Sequence, residues 1–518
     1  MPFPRTSGIL LHPTSFPGPY GIGDLGGPAR QFIDFLVESG QRLWQILPLG
    51  PTDFGNSPYM SFSSAAGNPL LISLDVLVSQ GFLSDEDLQN PPAFNPDFID
   101  FEQVETWKIP LLRKASFQFK DAASPSQQQA FADFCAAKAR WLEDYALFMA
   151  LHKTQPEGLW NAWPLPLRDR HPDALAQARQ ELADEIYCQK FWQFEFFRQW
   201  SGLKQYANQH HIQIFGDIPI YVSLNSSDVW ANPDLFQLDD DKQPIFVAGV
   251  PPDYFAETGQ RWGNPLYDWK HLEVTDFAWW IDRFKDCLEL VDLIRIDHFR
   301  GFDSYWAVPA EEETAVKGAW LLGPGEKLFM AVRDALGSLP IVAEDLGDID
   351  QAVLDLRDQF GFPGMKILHF AFGSDGGNPY LPYNTTHNSV IYTGTHDNDT
   401  TVGWYEAAND HEKDRFYRYL GGISPDGVAW DAIRLAMSSV ANQAIVPLQD
   451  VCSLGTNARM NTPGTVDNNW RWRYRAEALR SEYSHRLYEM AEIYGRYVPL
   501  PPVEPQPAPP QPSPEADS

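Results

Sequence analysis

Short apolar runs recur eight times along the chain, and polar or turn-forming residues bound each of them. Their length and their Val, Ile and Leu content are those of strands buried in a parallel sheet. The runs are GILLH (8–12), RLWQILPL (42–49), IQIFGDIPI (212–220), LIRID (293–297), PIVAED (340–345), MKILHFAF (365–372), SVIYTGTHD (389–397) and AIVPLQDV (444–451). We therefore predict eight buried strands.

Amphipathic stretches separate most of these runs, with apolar residues at the three-to-four-residue spacing of a helix that buries one face. Examples are PARQFIDFLVESG (28–40), DFAWWIDRFKDCLELV (276–291), EKLFMAVRDALG (326–337) and DIDQAVLDLRDQF (348–360). A strand followed by a helix, repeated eight times, predicts the α/β class and a (β/α)8 TIM barrel. A doubly wound open sheet is the competing arrangement, but no Gly-rich phosphate turn follows the first run.

The uneven spacing of the runs predicts inserted structure. About 160 residues separate the second run from the third, which is too many for one loop. Helical patterns near 106–120, 126–152 and 184–209 predict a mostly helical subdomain there, at about 50–211.

A second insertion, at 221–275, is rich in Asn, Pro, Asp and aromatic residues, so we expect loops that form a lid over the active site. The barrel with both insertions is predicted to span 1–497. The Pro-rich, acidic tail 498–518 is expected to be extended or disordered.

Acidic residues close several of the predicted strands. Run three ends around Asp217, run four on Asp297, run five on Glu344, and run seven on His396 and Asp397. A single strand-end carboxylate is usually a helix N-cap, but four strands ending alike favour a site at the C-terminal face of a barrel.

The run LIRID places a charge inside an apolar strand. Because alternate residues face opposite sides, Arg295 and Asp297 share one face while Ile294 and Ile296 share the other. The arginine then stabilises the ionised aspartate, as a nucleophile requires. A purely structural buried ion pair is the alternative.

Composition narrows the choice of partners. The chain of 518 residues carries 69 acidic and 39 basic side chains, a formal charge of −30, which argues against nucleic acid and anionic membranes as partners. Aromatic residues make up 14% of the chain and suit neutral sugars, although large cores use the same residues. The four cysteines form no CxxC pair, so neither a disulfide framework nor a zinc site is expected.

Converging carboxylates with neither a phosphate loop nor metal-ligand spacing indicate glycoside chemistry. Retaining cleavage requires a nucleophilic carboxylate and a second carboxyl group of raised pKa, and neighbouring strands bring such groups together. Asp297 is the predicted nucleophile and Glu344 the acid/base, while Asp397 is left to bind sugar hydroxyls and stabilise the oxocarbenium ion.

Three segments, in their order along the chain, look like the catalytic motifs of the α-amylase superfamily: RIDHFRGF, VAEDLG and GTHDNDT. The sequence around them resembles the amylomaltases, or 4-α-glucanotransferases. The likeness runs over roughly residues 5 to 495. Further similar segments are GILLHPTSFPGPYGIGDLG (8–26), SPYMSFSSAAGNPLLISLD (57–75), GDIPIYV (216–222), GVPPDYFAETGQRWGNPLY (249–267) and NTPGTVDNNWRWR (461–473).

The resemblance implies the same roles for Asp297, Glu344 and Asp397. It also implies a substrate-binding role for Arg295, His298, His396 and Asp217 around the −1 sugar, and for Tyr59 and Asn461 within the matching segments. The resemblance further implies a barrel without a separate C-terminal β-domain, and an enzyme that uses neither a cofactor nor a metal.

The loop 249–263 bears on the outcome of the reaction. It carries Tyr254, Phe255 and Trp262, which could hold an acceptor glucan and limit attack by water. An ordinary surface loop with buried aromatics is the alternative.

We expect a cytoplasmic 4-α-glucanotransferase that moves segments of α-1,4-glucans between chains. A related α-glucan hydrolase would share the same catalytic residues. A non-catalytic glucan-binding protein is a third possibility, but it would not need all three carboxylates. Metal-dependent chemistry in the barrel is a fourth, and it requires that a chelator abolish the activity.

Overall fold

The computed structural model describes residues 3–155, 158–252 and 257–497, and the strands within them are numbered in chain order. They are β1 (Thr6–Leu10), β2 (Leu43–Gln45), β3 (Gln213–Ile218), β4 (Phe246–Val250), β5 (Gln260–Pro265), β6 (Leu293–Ile296), β7 (Ser304–Pro309), β8 (Ala319–Leu322), β9 (Ile341–Ala343), β10 (Gly364–Ile367), β11 (Ser389–Tyr392) and β12 (Gln443–Pro447).

Eight of these strands form one parallel sheet in the order β10-β11-β12-β1-β2-β3-β6-β9. The two ends of this order meet, because the Ala343 N–H of β9 donates to the Pro363 carbonyl just before β10 at 2.9 Å. All eight predicted runs supply these strands, so the prediction of a TIM barrel is confirmed.

The α-helices, numbered in the same way, are α1 (Gly27–Glu38), α2 (Leu74–Ser79), α3 (Phe101–Ala122), α4 (Pro125–Ala137), α5 (Ala139–Thr154), α6 (Leu165–Arg168), α7 (Pro172–Glu181), α8 (Ala183–Gln209), α9 (Ser227–Ala231), α10 (Trp269–Val274), α11 (Ala278–Leu290), α12 (Glu326–Leu336), α13 (Gln351–Gln359), α14 (Thr401–Ala407), α15 (Asp410–Leu420), α16 (Val428–Ser438), α17 (Leu448–Val451) and α18 (Ser481–Ile493). The four helices predicted between strands correspond to α1, α11, α12 and α13.

Among the described residues, seven helices, α2 to α8, lie between β2 and β3, and the last of them, α8, holds a loop at the mouth of the barrel. Gln193 of α8 accepts from the Gly67 N–H and donates to the Gly67 carbonyl, both at 2.8 Å. A Cβ atom at Gly67 would lie 2.0 Å from the Phe196 ring, so only glycine permits this close approach. The loop fixed in this way carries Tyr59.

A second sheet was not predicted. It is antiparallel, with the strand order β5-β4-β7-β8. Segment 221–275, expected to be loops, contains β4, β5, α9 and α10, and no element was assigned to 304–322, which forms β7 and β8. The outer strands β5 and β8 escaped prediction because they are partly exposed and lack a continuous apolar run. The central strands β4 and β7 pair with each other across about 60 residues, which no local pattern shows.

The described residues after β12 are helices and loops. Arg496, which follows α18, is fully buried and donates to the carbonyls of Met437 at 2.7 Å, Thr6 at 2.9 Å and Ala441 at 3.0 Å. It thereby joins the end of the last described helix, α18, to β1, to α16 and to the loop before β12. In the part of the chain that the structure describes, no helix is long and apolar enough to cross a membrane.

We expect Arg496→Met to destabilise the fold by about 2–4 kcal/mol, because methionine fills the space but leaves several buried carbonyls without donors. Urea unfolding followed by tryptophan fluorescence measures the change. Arg418→Met is the control, since Arg418 is exposed on α15, and its effect should stay within about 0.5 kcal/mol. Equal stability of the two variants would contradict this role for Arg496.

Candidate active site

Strand pairing places Arg295 beside a buried aspartate. In the register of β3 and β6, Asp217 lies opposite Arg295. The guanidinium donates to Asp217 Oδ2 at 2.5 Å and to Asp297 Oδ1 at 2.8 Å, and the Tyr59 hydroxyl donates to Asp217 Oδ2 at 2.7 Å. The Asp217 side chain is 0% exposed and the Asp297 side chain 29%, so solvent or a substrate reaches Asp297 only.

Asp297 and Glu344 follow neighbouring strands. Ile296 pairs with Ala343 across β6 and β9, and the next residues of the two strands are Asp297 and Glu344. His298 has a left-handed backbone, with φ 51°, and this turn directs its N–H to Glu344 Oε2 at 2.7 Å. Two neighbouring strand ends therefore hold the proposed nucleophile and acid side by side.

Asp397 lies five residues beyond the end of β11. Asn461 Nδ2 donates to Asp397 Oδ1 at 2.6 Å, and His396 Nε2 lies 3.4 Å from the same oxygen. Arg459 donates to the Asp397 carbonyl at 2.7 Å and to the Asn461 carbonyl at 2.8 Å. A distant loop thus fixes this carboxylate.

Aromatic rings line the same region. Tyr59 stacks on His396 with ring centroids 5.2 Å apart, and Trp470 lies 5.9 Å from both rings. Trp262 of β5 packs edge-on against His298 at 4.8 Å. The two histidines are therefore held by rings from outside the barrel.

Burial governs the protonation of the site. It raises the pKa of Glu344 to about 7 and that of Asp217 to about 7, with Arg295 opposing both shifts and Asp297 adding to them. Burial works against the charge of Arg295, but Asp217 and Asp297 outweigh it and raise its pKa well above the usual value. Burial lowers the pKa of His298 to about 3 and also lowers that of His396, so both imidazoles are neutral at pH 7.

The structure brings ten of the predicted site residues together, namely Asp217, Arg295, Asp297, His298, Glu344, His396, Asp397, Asn461, Tyr59 and Trp262. Tyr254 and Phe255 lie outside the described residues. In the described ranges, no group of three or more His, Cys, Asp and Glu side chains could hold a metal ion.

Three residues at the site were not singled out from the sequence. Arg459 and Trp470 lie in or beside NTPGTVDNNWRWR, and His12 ends the first apolar run. His12 is buried beside His396, and burial followed by the effect of His396 lowers its pKa to about 3. A polar residue closing a strand was a usable signal for His12, whereas nothing local marked Arg459.

The strand ends of this parallel barrel converge on paired carboxylates, neutral histidines and aromatic rings. Such a site defines an enzyme that acts on glycosidic bonds. Comparison with known proteins specifies it further. The family model described as 4-α-glucanotransferase, of glycoside hydrolase family 77, matches residues 11–479.

Similar proteins cover almost the whole chain. A 4-α-glucanotransferase of Synechocystis sp. is 52% identical over 497 residues, 95% of this chain and 98% of that one. One of Thermus thermophilus is 52% identical over 503 residues, 96% and 100% of the two chains. The structure of the Streptococcus agalactiae amylomaltase in complex with acarbose has a TM-score of 0.93 at 41% identity, covering 95% of this chain and 100% of that one. The chain belongs to the 4-α-glucanotransferase family, the amylomaltases.

The raised pKa of Glu344 predicts a stability change. The folded state keeps this proton to a higher pH than the unfolded chain, so stability falls as pH rises from about 4.5 to about 7 and loses nothing more above that. Glu344→Gln removes this loss and should stabilise the protein at pH 8 by about 1–3 kcal/mol, with almost no gain at pH 4.

Unfolding midpoints of both proteins across pH 4 to 8 measure this change. Glu406→Gln, at an exposed position on α14, is the control and should leave the pH dependence unaltered. A gain for Glu344→Gln that is the same at every pH would mean that charge burial is not its cause.

Proposed function

We propose that the transfer proceeds through a covalent glycosyl-enzyme on Asp297, with Glu344 as general acid and then general base. One observation carries the proposal: adjacent strand ends hold two carboxyl groups in opposite electrostatic settings. The Arg295 guanidinium donates to Asp297, whereas burial raises the pKa of Glu344 to about 7 and keeps that carboxyl group protonated to a higher pH.

In the first step, a carboxylate oxygen of Asp297 forms a bond to C1 of the donor sugar as the C1–O4 glycosidic bond breaks. Glu344 gives its proton to the leaving O4, and the shortened glucan departs. In the second step, Glu344 removes the proton from the 4-hydroxyl of an acceptor. That oxygen bonds to C1, the C1–Asp297 ester bond breaks, and the configuration at C1 is retained.

The remaining polar residues bind and position groups around this centre. Asp397, fixed by Asn461, contributes negative charge near the oxocarbenium-like carbon and accepts from sugar hydroxyls. Neutral His298 and His396 donate to sugar hydroxyls. Because Asp217 is covered by Tyr59, we assign it the task of holding Arg295 rather than touching the sugar.

The substrates in this proposal are α-1,4-glucans, with the donor segment passed to another glucan or to glucose. Acarbose bound to the Streptococcus agalactiae amylomaltase, at 41% identity, supports a sugar ligand. Trp262 packs against His298, the residue that follows Asp297, and in this proposal its ring favours a glucan acceptor over water. The four cysteines pair in no disulfide, which supports a cytoplasmic location.

Incubation with maltotriose tests the transfer. The wild type should give glucose together with longer maltodextrins, and Asp297→Asn should lower both by roughly 10³-fold or more, because an amide is a poor nucleophile. Asp240→Asn, on the surface, should behave as the wild type. Reducing ends that rise without longer products would instead identify the hydrolase alternative.

The pH dependence tests the acid. Because Glu344 must enter the first step protonated, kcat/KM for maltotriose should fall as pH rises through about 7. A maltosyl fluoride donor needs no proton for its leaving group, so its glycosylation step should lack this decline and should survive Glu344→Ala. An identical decline with both donors would assign the titration to another group.

A further inference from the structure

Two exposed tyrosines, one in the loop after β10 and one on α15, form an aromatic patch. Tyr383 is 61% exposed and Tyr419, on α15, is 36% exposed. Their ring planes differ by 16° and their centroids lie 6.3 Å apart. Rings stacked directly face to face would have centroids roughly 3.5–4 Å apart, so these two rings are displaced from each other and their combined surface is wider than one ring.

The loop that carries Tyr383 is held by its own hydrogen bonds. The Tyr383 hydroxyl donates to the Gly376 carbonyl, and Asn384 Nδ2 donates to the carbonyls of Gly376 at 3.0 Å and Asn378 at 2.8 Å. Asn378 in turn donates to the Phe370 carbonyl at 2.8 Å. A preformed surface of this kind loses little conformational entropy when it binds a ligand.

This loop starts at the catalytic face of the barrel. It follows β10, whose start is hydrogen-bonded to β9, the strand that leads into Glu344. Phe370 and Tyr380 pack with centroids 5.5 Å apart, and Phe372 lies 5.8 Å from Tyr419. Burial, then Asp345 and Glu344, raises the pKa of Tyr380 to about 12, which agrees with a position close to the acid.

We propose that Tyr383 and Tyr419 form an outer binding platform for an α-glucan chain, on the side of the active site where the leaving and acceptor chains lie. This rests on the proposed role of Glu344. A general acid stands beside the leaving oxygen, so a loop that borders Glu344 borders the sugars on that side.

The chemistry of the platform suits a glucan. Sugar rings present apolar C–H faces that pack on aromatic rings, and two neighbouring rings can receive successive sugars of one chain. The patch is small for a protein interface, which commonly buries about 800 Å² on each partner. A chain that reaches both the cleft and the platform gains affinity because its second contact is intramolecular.

Retardation in native gels that contain amylose tests the platform. The double variant Tyr383→Ala/Tyr419→Ala should bind amylose about tenfold more weakly than the wild type. Tyr417→Ala is the matched control, since Tyr417 is 52% exposed on the same helix but two residues away, and so points in another direction. The double variant should keep its turnover of maltotriose, because the reaction of this short donor depends on the cleft and not on the platform.

Four outcomes are informative. Weakened amylose binding with intact maltotriose turnover supports the platform. Amylose binding equal to that of Tyr417→Ala overturns it. Equal losses with amylose and maltotriose also overturn it, because a general disturbance of the cleft would then explain the result. Activity retained by Asp297→Asn would refute the proposed mechanism but not the platform, since the gel compares tyrosine variants whose Asp297 is intact.

Discussion

The site depends on one buried guanidinium. Arg295 joins Asp217, on the neighbouring strand, to Asp297, which directly follows its own strand. An arginine side chain offers a planar fork of donors, which one ammonium group cannot reproduce. Breaking either contact would leave a charge buried without its partner, so the three residues act as a unit. Strand register sets this geometry, and the register depends on the closed barrel.

This arrangement has an energetic consequence for the rest of the molecule. Burial raises the pKa of Glu344 and of Asp217, which means that their ionised forms are unfavourable in the folded state. The site therefore opposes folding at neutral pH. The surrounding structure offsets this. The apolar core runs continuously through barrel and insertions, and buried arginines such as Arg496 satisfy carbonyls between distant segments.

The sequence was most informative where neighbouring residues decide the structure. Each barrel strand is a continuous apolar run because both of its faces are buried, and the period-two rule placed Arg295 and Asp297 on one face. The antiparallel sheet had no such signal, since its strands are partly exposed and its central pair, β4 and β7, joins residues about 60 positions apart. For Arg459, the partners are the carbonyls of Asp397 and Asn461, and no local pattern encodes a contact to a carbonyl 62 positions away.

The turn at His298 sets the environment of Glu344, the proposed acid, beside the proposed nucleophile. Its left-handed backbone points an amide at Glu344 Oε2, while the Leu346 N–H donates to Oε1 at 3.0 Å. Neutral amides fix the position of this carboxyl group and stabilise its charged form only partly, so burial still prevails and its pKa stays raised. The charged donor Arg295 contacts Asp297, as it contacts Asp217. Of the two proposed catalytic carboxyl groups, one thus receives a guanidinium and the other receives backbone amides, and this difference fits their separate proposed roles.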